Sequence, residues 1–496
     1  MPPLFRAFRR CFFSLGCLGL LSGLADAAET LSLEASIRLA LSKSYAISIE
    51  SVTPQIARAE LLTAWGRFDP KLELSYTYAE DGNPQPSDPF SGARPPSSLI
   101  EVESYDAAVT GLSPWGLGYR LGASTQNRRG TFNAFADQFY SFAGLSLRQP
   151  LLRNFGLGSQ LTQVRLARVD RARSDWDYRE AAIATITAVI YRYNDLHFAR
   201  KTLETAQRSR SLALGLVAEN ERRFKVGSMS DYDVTAARAR VARREEAVLA
   251  AERNLKDTEN LFKQLISDDR TPLLLTTGIT IEPPAPAPTV DVDPARDFPT
   301  ALEHRPDYRR AVLLAERAEL NRTYQRNQRL PQVDAVASLG YNGLDNAFRD
   351  SRRQVTEREN RSYSAGVIVE VPLTFAQERG RYRAAQLTLR QAELQRAALE
   401  QTIVVDVGNA AGQIETTQKR IEVARIAREL AQLTLDAEVK KLRAGTSSTF
   451  VVLELQESLA EIETREFRAH SDARKAIAEY DRQLGTTLKT HHVVLE

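Results

Sequence analysis

The chain has 496 residues, 43% of them hydrophobic and 26% charged, with a formal net charge of +3. These proportions supply a sizeable folded core and exclude the weakly hydrophobic, highly charged class of disordered chains. Removing residues 1–27 takes away Arg6, Arg9, Arg10 and Asp26 and leaves a charge of +1, so the composition gives no argument for nucleic-acid binding.

Those three arginines precede an apolar run from Cys11 to Leu24 and the small-residue pattern Ala25, Asp26, Ala27, which is the layout of a secretory leader. The run falls short of the ~20 residues of a membrane-crossing helix, so 1–27 reads as a signal peptide and the mature chain is expected to begin near Ala28. The alternatives are a retained anchor and a lipid-modified Cys17, the latter behind the poor lipobox Ser14, Leu15, Gly16. Cys11 and Cys17 are the only cysteines, so the mature chain is expected to have no disulfide or thiol chemistry. Past the leader no apolar run is long enough for a spanning helix, and the other way across a bilayer is a closed β-barrel.

Two weakly similar halves flank the proline-rich stretch 282–289, and each reads helix, strands, very long helix, turn, long helix. The first repeat covers 28–270. A helix over 31–65 leads to strands within about 71–148, opened by Pro70 and closed by Pro150, and a helix over about 152–225 runs to a tip near 225–231. A linker is expected at 271–300. The second repeat covers 301–490, with a helix, strands within about 332–371 between Pro331 and Pro372, and a helical hairpin tipped near 443–449, leaving 491–496 as a tail.

Six strands are expected, at 72–78, 105–112, 117–124, 139–147, 333–341 and 363–371. Leu72, Leu74, Tyr76 and Tyr78 alternate with Glu73, Ser75 and Thr77, so one face suits lipid and the other a lumen. The strand tyrosines fit an aromatic girdle, although an ordinary sheet also carries tyrosine. Segments 81–98 and 342–360 are polar and read as surface loops. The first half holds an extra hairpin turned at 113–116, and whether it joins the barrel stays open. Six strands close a barrel poorly alone, so oligomerisation is the economical solution.

Each long helical stretch runs roughly 65–75 residues without proline, a rod on the order of 100 Å at ~1.5 Å per residue. Ile426, Leu430, Leu433 and Ala437, and then Val452, Leu455, Leu459 and Ile462, step by threes and fours, so the two stripes are expected to face each other across the turn. Val234, Ala237 and Val241 with Val248, Ala251 and Leu255 repeat the device, and Arg244 falls on that seam as a polar residue suited to helices packed around water. The abundant Arg and Glu read as a solvated face.

The histidines beyond the leader, His197, His304, His470, His491 and His492, are scattered or terminal, and no zinc-protease, nucleophile-elbow or phosphate-loop pattern occurs. No catalytic residue, metal site or cofactor is expected, and energy for any transport has to come from elsewhere. His491 and His492 are expected in a frayed tail.

From Leu31 to about Gly485 the chain resembles the TolC family of outer-membrane efflux proteins. The run from Ser32 to Leu41 is similar to the family's opening helix, Gln149, Pro150, Leu151 and Leu152 to its strand-to-helix junction, and Arg305, Pro306 and Asp307 to the start of its second repeat. The most telling parts are two turns, Arg223 to Ser228 leading to Asp233, and Lys441 to Ser448 leading to Val452. In each a glycine can end one helix and a Ser, Thr or Asp can cap the next.

The resemblance implies a mainly α chain with membrane β: a trimer whose shared β-barrel continues into a long α-helical coiled-coil barrel. It places the protein in the cell outer membrane, surrounded by lipid and extending into the periplasm. The implied role is a passive exit duct of a tripartite efflux or type I secretion system, served by a periplasmic adaptor (membrane fusion) protein and an inner-membrane transporter. It also implies that Val226, Gly227, Ser228, Ala444, Gly445, Thr446 and Ser447 meet the adaptor. Acidic residues that constrict the mouth in relatives fall here on Val451 and Glu454. Only Glu454 is acidic, so the constriction is altered. A ring of three Glu454 carboxylates would repel one another and attract cations; the alternative is an ordinary exposed helix residue. A non-conducting periplasmic coiled-coil tether is the rival reading, and it leaves the alternating strands and the repeat unexplained. A simple porin does not need the long helices.

Overall fold

The computed structural model describes residues 30–87, 89–93, 96–276 and 278–495, and the leader read at 1–27 lies outside them. Ser32 opens α1 (Leu33–Lys43) by accepting a hydrogen bond from the Ala35 amide at 3.2 Å, a side-chain N-cap. The backbone turns extended at Ser44, so the helix expected over 31–65 is two, α1 and α2 (Tyr45–Trp65). Strands β1 (Lys71–Asn83), β2 (Ser98–Leu112), β3 (Gly118–Gly130) and β4 (Phe139–Pro150) follow, then short α3 (Gly156–Gln160), α4 (Thr162–Lys225), α5 (Asp231–Ile266) and short α6 (Leu273–Thr276). The second half holds α7 (Pro294–His304), α8 (Pro306–Gln328), β5 (Gln332–Asp345), α9 (Phe348–Thr356), β6 (Asn360–Glu370), α10 (Ala376–Arg443), α11 (Thr449–Leu484) and α12 (Thr487–Thr490).

Three expectations are corrected. Helix α7 begins inside the stretch read as linker, because Asp293 accepts from the Ala295 and Arg296 amides and Pro294 supplies a ready first-turn residue. Helix α9 occupies the stretch read as a loop. The tail read at 491–496 is not frayed at its start: His491 is half-buried and Val493 packs against the core of the first half, whereas Val494 is 87% exposed.

The helices of the two halves correspond. Helices α1 and α7 have 11 residues each, α5 and α11 have 36 each, and α4 and α10 have 64 and 68. At ~1.5 Å per residue the last two are rods of about 100 Å. Near the sheet α4 packs on α2 and α10 on α8; farther away α5 and α11 take those places, while α4 also contacts α8 and α11. The wall is therefore four helices wide along its length.

Midway, the proline-rich segment is strapped to the wall. The Leu31 amide donates to the Thr280 carbonyl at 2.8 Å, the Glu282 amide to the Leu31 carbonyl at 3.1 Å, and the Tyr193 hydroxyl to the Glu282 carbonyl at 2.6 Å. In the second half Arg305 is buried between helices, bonding Asp307 at 2.8 Å and the Gln483 side chain at 2.7 Å. Burial alone would raise the Asp307 pKa, but Arg305 and the Tyr308 amide hold it below the ordinary aspartate value. The segment Arg305, Pro306, Asp307 is thus a clasp at the α7–α8 bend.

One coiled-coil stripe is corrected as well. Ile426, Leu430 and Leu433 are 44%, 59% and 65% exposed, and Ala437 is exposed too. The face of α10 turned to α11 is instead Ala431, Leu435, Val439 and Leu442, against Val452, Leu455 and Leu459. Helix α10 carries two apolar faces, and the helix sequence alone does not say which of them the turn directs inward. In the first half Val234, Ala237, Val248 and Ala251 are buried as expected. Arg244 leaves that seam to pair with Glu457 of α11 at 3.0 Å.

The six strands form one antiparallel sheet in chain order, β1 to β6. The extra hairpin is part of it: β2 and β3 are its second and third strands, joined by a turn in which the Ser113 amide donates to the Leu117 carbonyl at 2.8 Å and Gly116 has φ 96°.

Candidate functional site

The sheet has two chemically distinct faces. Leu72, Val109, Leu121, Leu145, Leu339 and Tyr363 stand opposite one another across all six strands. The other face is polar. Arg120 bridges Glu73 at 2.8 Å and Asp106 at 2.5 Å, Arg148 pairs with Asp334 at 2.6 Å, and Ser338 and Ser364 share a hydrogen bond of 2.8 Å. An apolar face toward lipid and a polar face toward water is the pattern of a membrane barrel wall. These paired charges were not legible beforehand, because only the strand register brings Glu73 to Arg120 or Arg148 to Asp334.

All helices of the wall leave the sheet at one end, and the loops after β1, β3 and β5 lie at the other. At that loop end α9 sits on the apolar face. Ser351 donates to the Ser141 hydroxyl at 2.8 Å and to the Gly343 carbonyl at 3.2 Å, and the Phe348 ring meets the Phe139 ring edge-on at 5.8 Å. Polar Ser141 and Thr125 are tolerated on this face because the helix buries them.

At the far end of the helices the two hairpin turns share one geometry. Gly227 and Gly445 both have φ 77°. The Ser228 amide donates to the Arg223 carbonyl at 2.9 Å and the Thr446 amide to the Lys441 carbonyl at 3.0 Å, a glycine-ended helix closure that satisfies otherwise orphaned carbonyls. Ser230 and Ser448 then cap α5 and α11 through the Asp233 and Val451 amides. Val226, Gly227, Ser228, Ala444, Gly445 and Thr446 are exposed, while Ser447 is half-buried and donates to Glu438 at 2.6 Å.

The two tips are tied together by contacts the sequence did not reveal. Thr449 bonds the buried Asn220 of α4 at 3.3 Å, and the Arg240 guanidinium lies 4.2 Å from the centre of the Phe450 ring. Val452 and Leu453 face inward, which leaves Val451 and Glu454, one helical turn apart, on the exposed side of α11. Glu454 has no ion pair or hydrogen bond among the described residues.

A two-faced membrane sheet continued by a wall of long helices defines a channel subunit of the outer membrane. The sequence profile of the outer membrane efflux protein family matches residues 103–267 and 298–486, one match in each half, and the chain belongs to that family. Among solved structures, VceC of Vibrio cholerae aligns at TM-score 0.67 and 17% identity over 91% of this chain and 96% of that one. The CmeC outer membrane channel of Campylobacter jejuni aligns at 0.66 and 15% over 92% and 86%. The MtrE outer membrane channel of Neisseria gonorrhoeae, in its open state, aligns at 0.64 and 15% over 92% and 89%. No curated protein matches significantly by sequence. The chain is a non-enzymatic efflux channel subunit of tripartite systems, set in the outer membrane and spanning into the periplasm. Channels of this family are trimers that work with adaptor and pump partners.

Proposed function

We propose that three copies of this chain form a passive duct whose helical tips receive cargo from an adaptor-bound pump of the inner membrane. The observation that carries this reading is the pair of matched, exposed, glycine-ended tips at the end of the helical wall away from the two-faced sheet. Val226, Gly227 and Ser228 on one tip and Ala444, Gly445, Thr446 and Ser447 on the other form the adaptor contact. Their exposed backbone turns present small side chains that let a partner helix hairpin approach closely. The apolar stripe Ile426, Leu430 and Leu433 on α10 packs against a neighbouring copy, which removes it from water.

Val451 and Glu454 line the mouth. Three Glu454 carboxylates converge there, so cations are favoured and the closed state carries mutual repulsion. An adaptor opens the mouth only by binding the open arrangement more tightly than the closed one. The passage then leads to the polar face of the sheet, where Arg120 and Arg148 are already neutralised by their carboxylate partners.

The first test is the mass of the detergent-extracted complex from separated outer membranes, followed by its conductance in planar bilayers. A conducting species of three chains is expected, and a monomer or a non-conducting rod would return the tether reading. Val226→Asp combined with Ala444→Asp is expected to leave that species intact and abolish co-purification of the adaptor. Undiminished adaptor binding would remove the tips from the interface.

A further inference from the structure

A six-stranded sheet with two open edges raises the question of what completes it. Strand β1 runs from the helix end toward the loop end and β6 runs back, so β6 of one copy and β1 of the next meet antiparallel, like every other pair in the sheet. Both edge strands are long and regular, with none of the prolines or bulges that blunt an edge meant to stay free. Leu72 and Tyr363 on their apolar faces are 69% and 73% exposed. Resting on the trimeric duct reading above, we propose that all six strands of each copy enter the barrel, closing it with eighteen strands at a bore that matches the helical tunnel.

The register supports closure. A row followed straight across the sheet from Ser75 passes Asp106, Ser124, Phe142 and Asn342 and reaches β6 at Asn360. The apolar run of β6, from Tyr363 to Val369, is centred on Gly366, six residues nearer the helix end. The lipid band therefore slides about one residue per strand. With ~3.3 Å per residue and ~4.8 Å between strands, that slide is a strand tilt of about 35°, within the range of closed barrels. Aligning the band across the new seam sets Leu74 opposite Val367, Leu72 opposite Val369 and Tyr78 opposite Tyr363. The same register places Lys71 against Glu370, and Thr77 against Ser364 on the polar face. Apolar, aromatic and opposite-charge pairs of this kind stabilise adjacent strands.

The wall lengths agree as well. Six strands ~4.8 Å apart at that tilt span about 35 Å of circumference per copy. Four helices at about 9 Å each span about 36 Å. The extra hairpin β2–β3 is what brings the sheet up to the width of the helical wall. An eighteen-stranded barrel leaves a water-filled channel, so the outer end is an unfiltered exit and size selection falls to the tips. Such a bore fits bulky hydrophilic cargo, and its polar face carries its charges as internal pairs.

The test is disulfide trapping of the outer-membrane complex with Thr77→Cys and Ser364→Cys in one chain. Within a copy these positions lie on opposite edges of the sheet, so a bond between them has to join two chains. Oxidation is expected to convert the double variant into reducible covalent dimers and trimers, with the single variants as folding controls. Leu121→Cys in the extra hairpin is expected to react with a lipid-phase maleimide and to resist a water-soluble one. A three-chain complex that does not cross-link, or whose Leu121→Cys reacts only from water, overturns the eighteen-stranded barrel and leaves the duct standing. Absence of any three-chain complex sinks both.

Discussion

The two halves of this chain match in their helices and differ in their strands. Helices of 64 and 36 residues in one half face helices of 68 and 36 in the other, whereas four strands stand against two. A helical wall needs its members to reach the same tips, because α4 contacts both α5 and α11 and any mismatch would leave apolar stripes uncovered. A sheet places no such demand on strand number. Adding the β2–β3 hairpin lengthens the ladder by a unit that enters and leaves at the loop end and turns at the helix end, so both neighbours keep their direction.

The sharpest way to break this comparison is to excise residues 98–130, which joins β1 directly to β4. The two strands already run antiparallel, so each half would then contribute one hairpin. The excised chain is expected to assemble, with a conductance roughly half that of the parent, since barrel diameter grows about linearly with strand number. An unchanged conductance would place the hairpin outside the barrel wall.

A smaller effect separates two glycines of similar backbone. Gly485, at φ 72°, ends α11 so close to the clasp that a Cβ would lie 2.6 Å from the His304 carbonyl carbon, while nothing lies within 4 Å of a Cβ on Gly227 at φ 77°. Gly485→Ala is expected to cost about 3 kcal/mol and Gly227→Ala about 1 kcal/mol, the second being the left-handed backbone alone. Thermal denaturation of both variants measures the difference, and equal losses would show that the clasp yields freely.

The seam between the halves is expected to weaken in acid. His197 on α4 has its pKa lowered to about 4 by burial, then by Arg474, Lys201 and Arg200, with Glu204 opposing. His470 on α11 is lowered by burial and Arg474, with Glu466 opposing. A base whose folded pKa is depressed is held neutral, so its contribution is whole above the unfolded value of 6.5 and is lost as pH falls from there to about 4. The melting temperature should drop over that window by the equivalent of about 2 kcal/mol per chain, and His197→Gln should flatten the drop. A melting temperature constant from pH 7 to 4 would contradict it.

Much of this protein could be read from one-dimensional signals. Hydrophobic period separated strand from helix, prolines at 70, 150, 331 and 372 marked where one gives way to the other, and Gly227 and Gly445 marked the tips. These are local: each depends on a few neighbouring residues and on backbone preferences that hold in any surroundings. What needed three dimensions was every choice among equivalent partners. Helix α10 offers two apolar stripes, and packing buries the one through Leu435 and exposes the one through Leu430. Glu73 has many arginines to choose from, and strand register selects Arg120. A polar run over 342–360 reads as loop until the outer face of the sheet supplies Ser141 and Phe139 as a seat for α9. Such contacts join residues far apart in the chain, so their free energy depends on the geometry of the closed structure and leaves no periodic mark on the sequence.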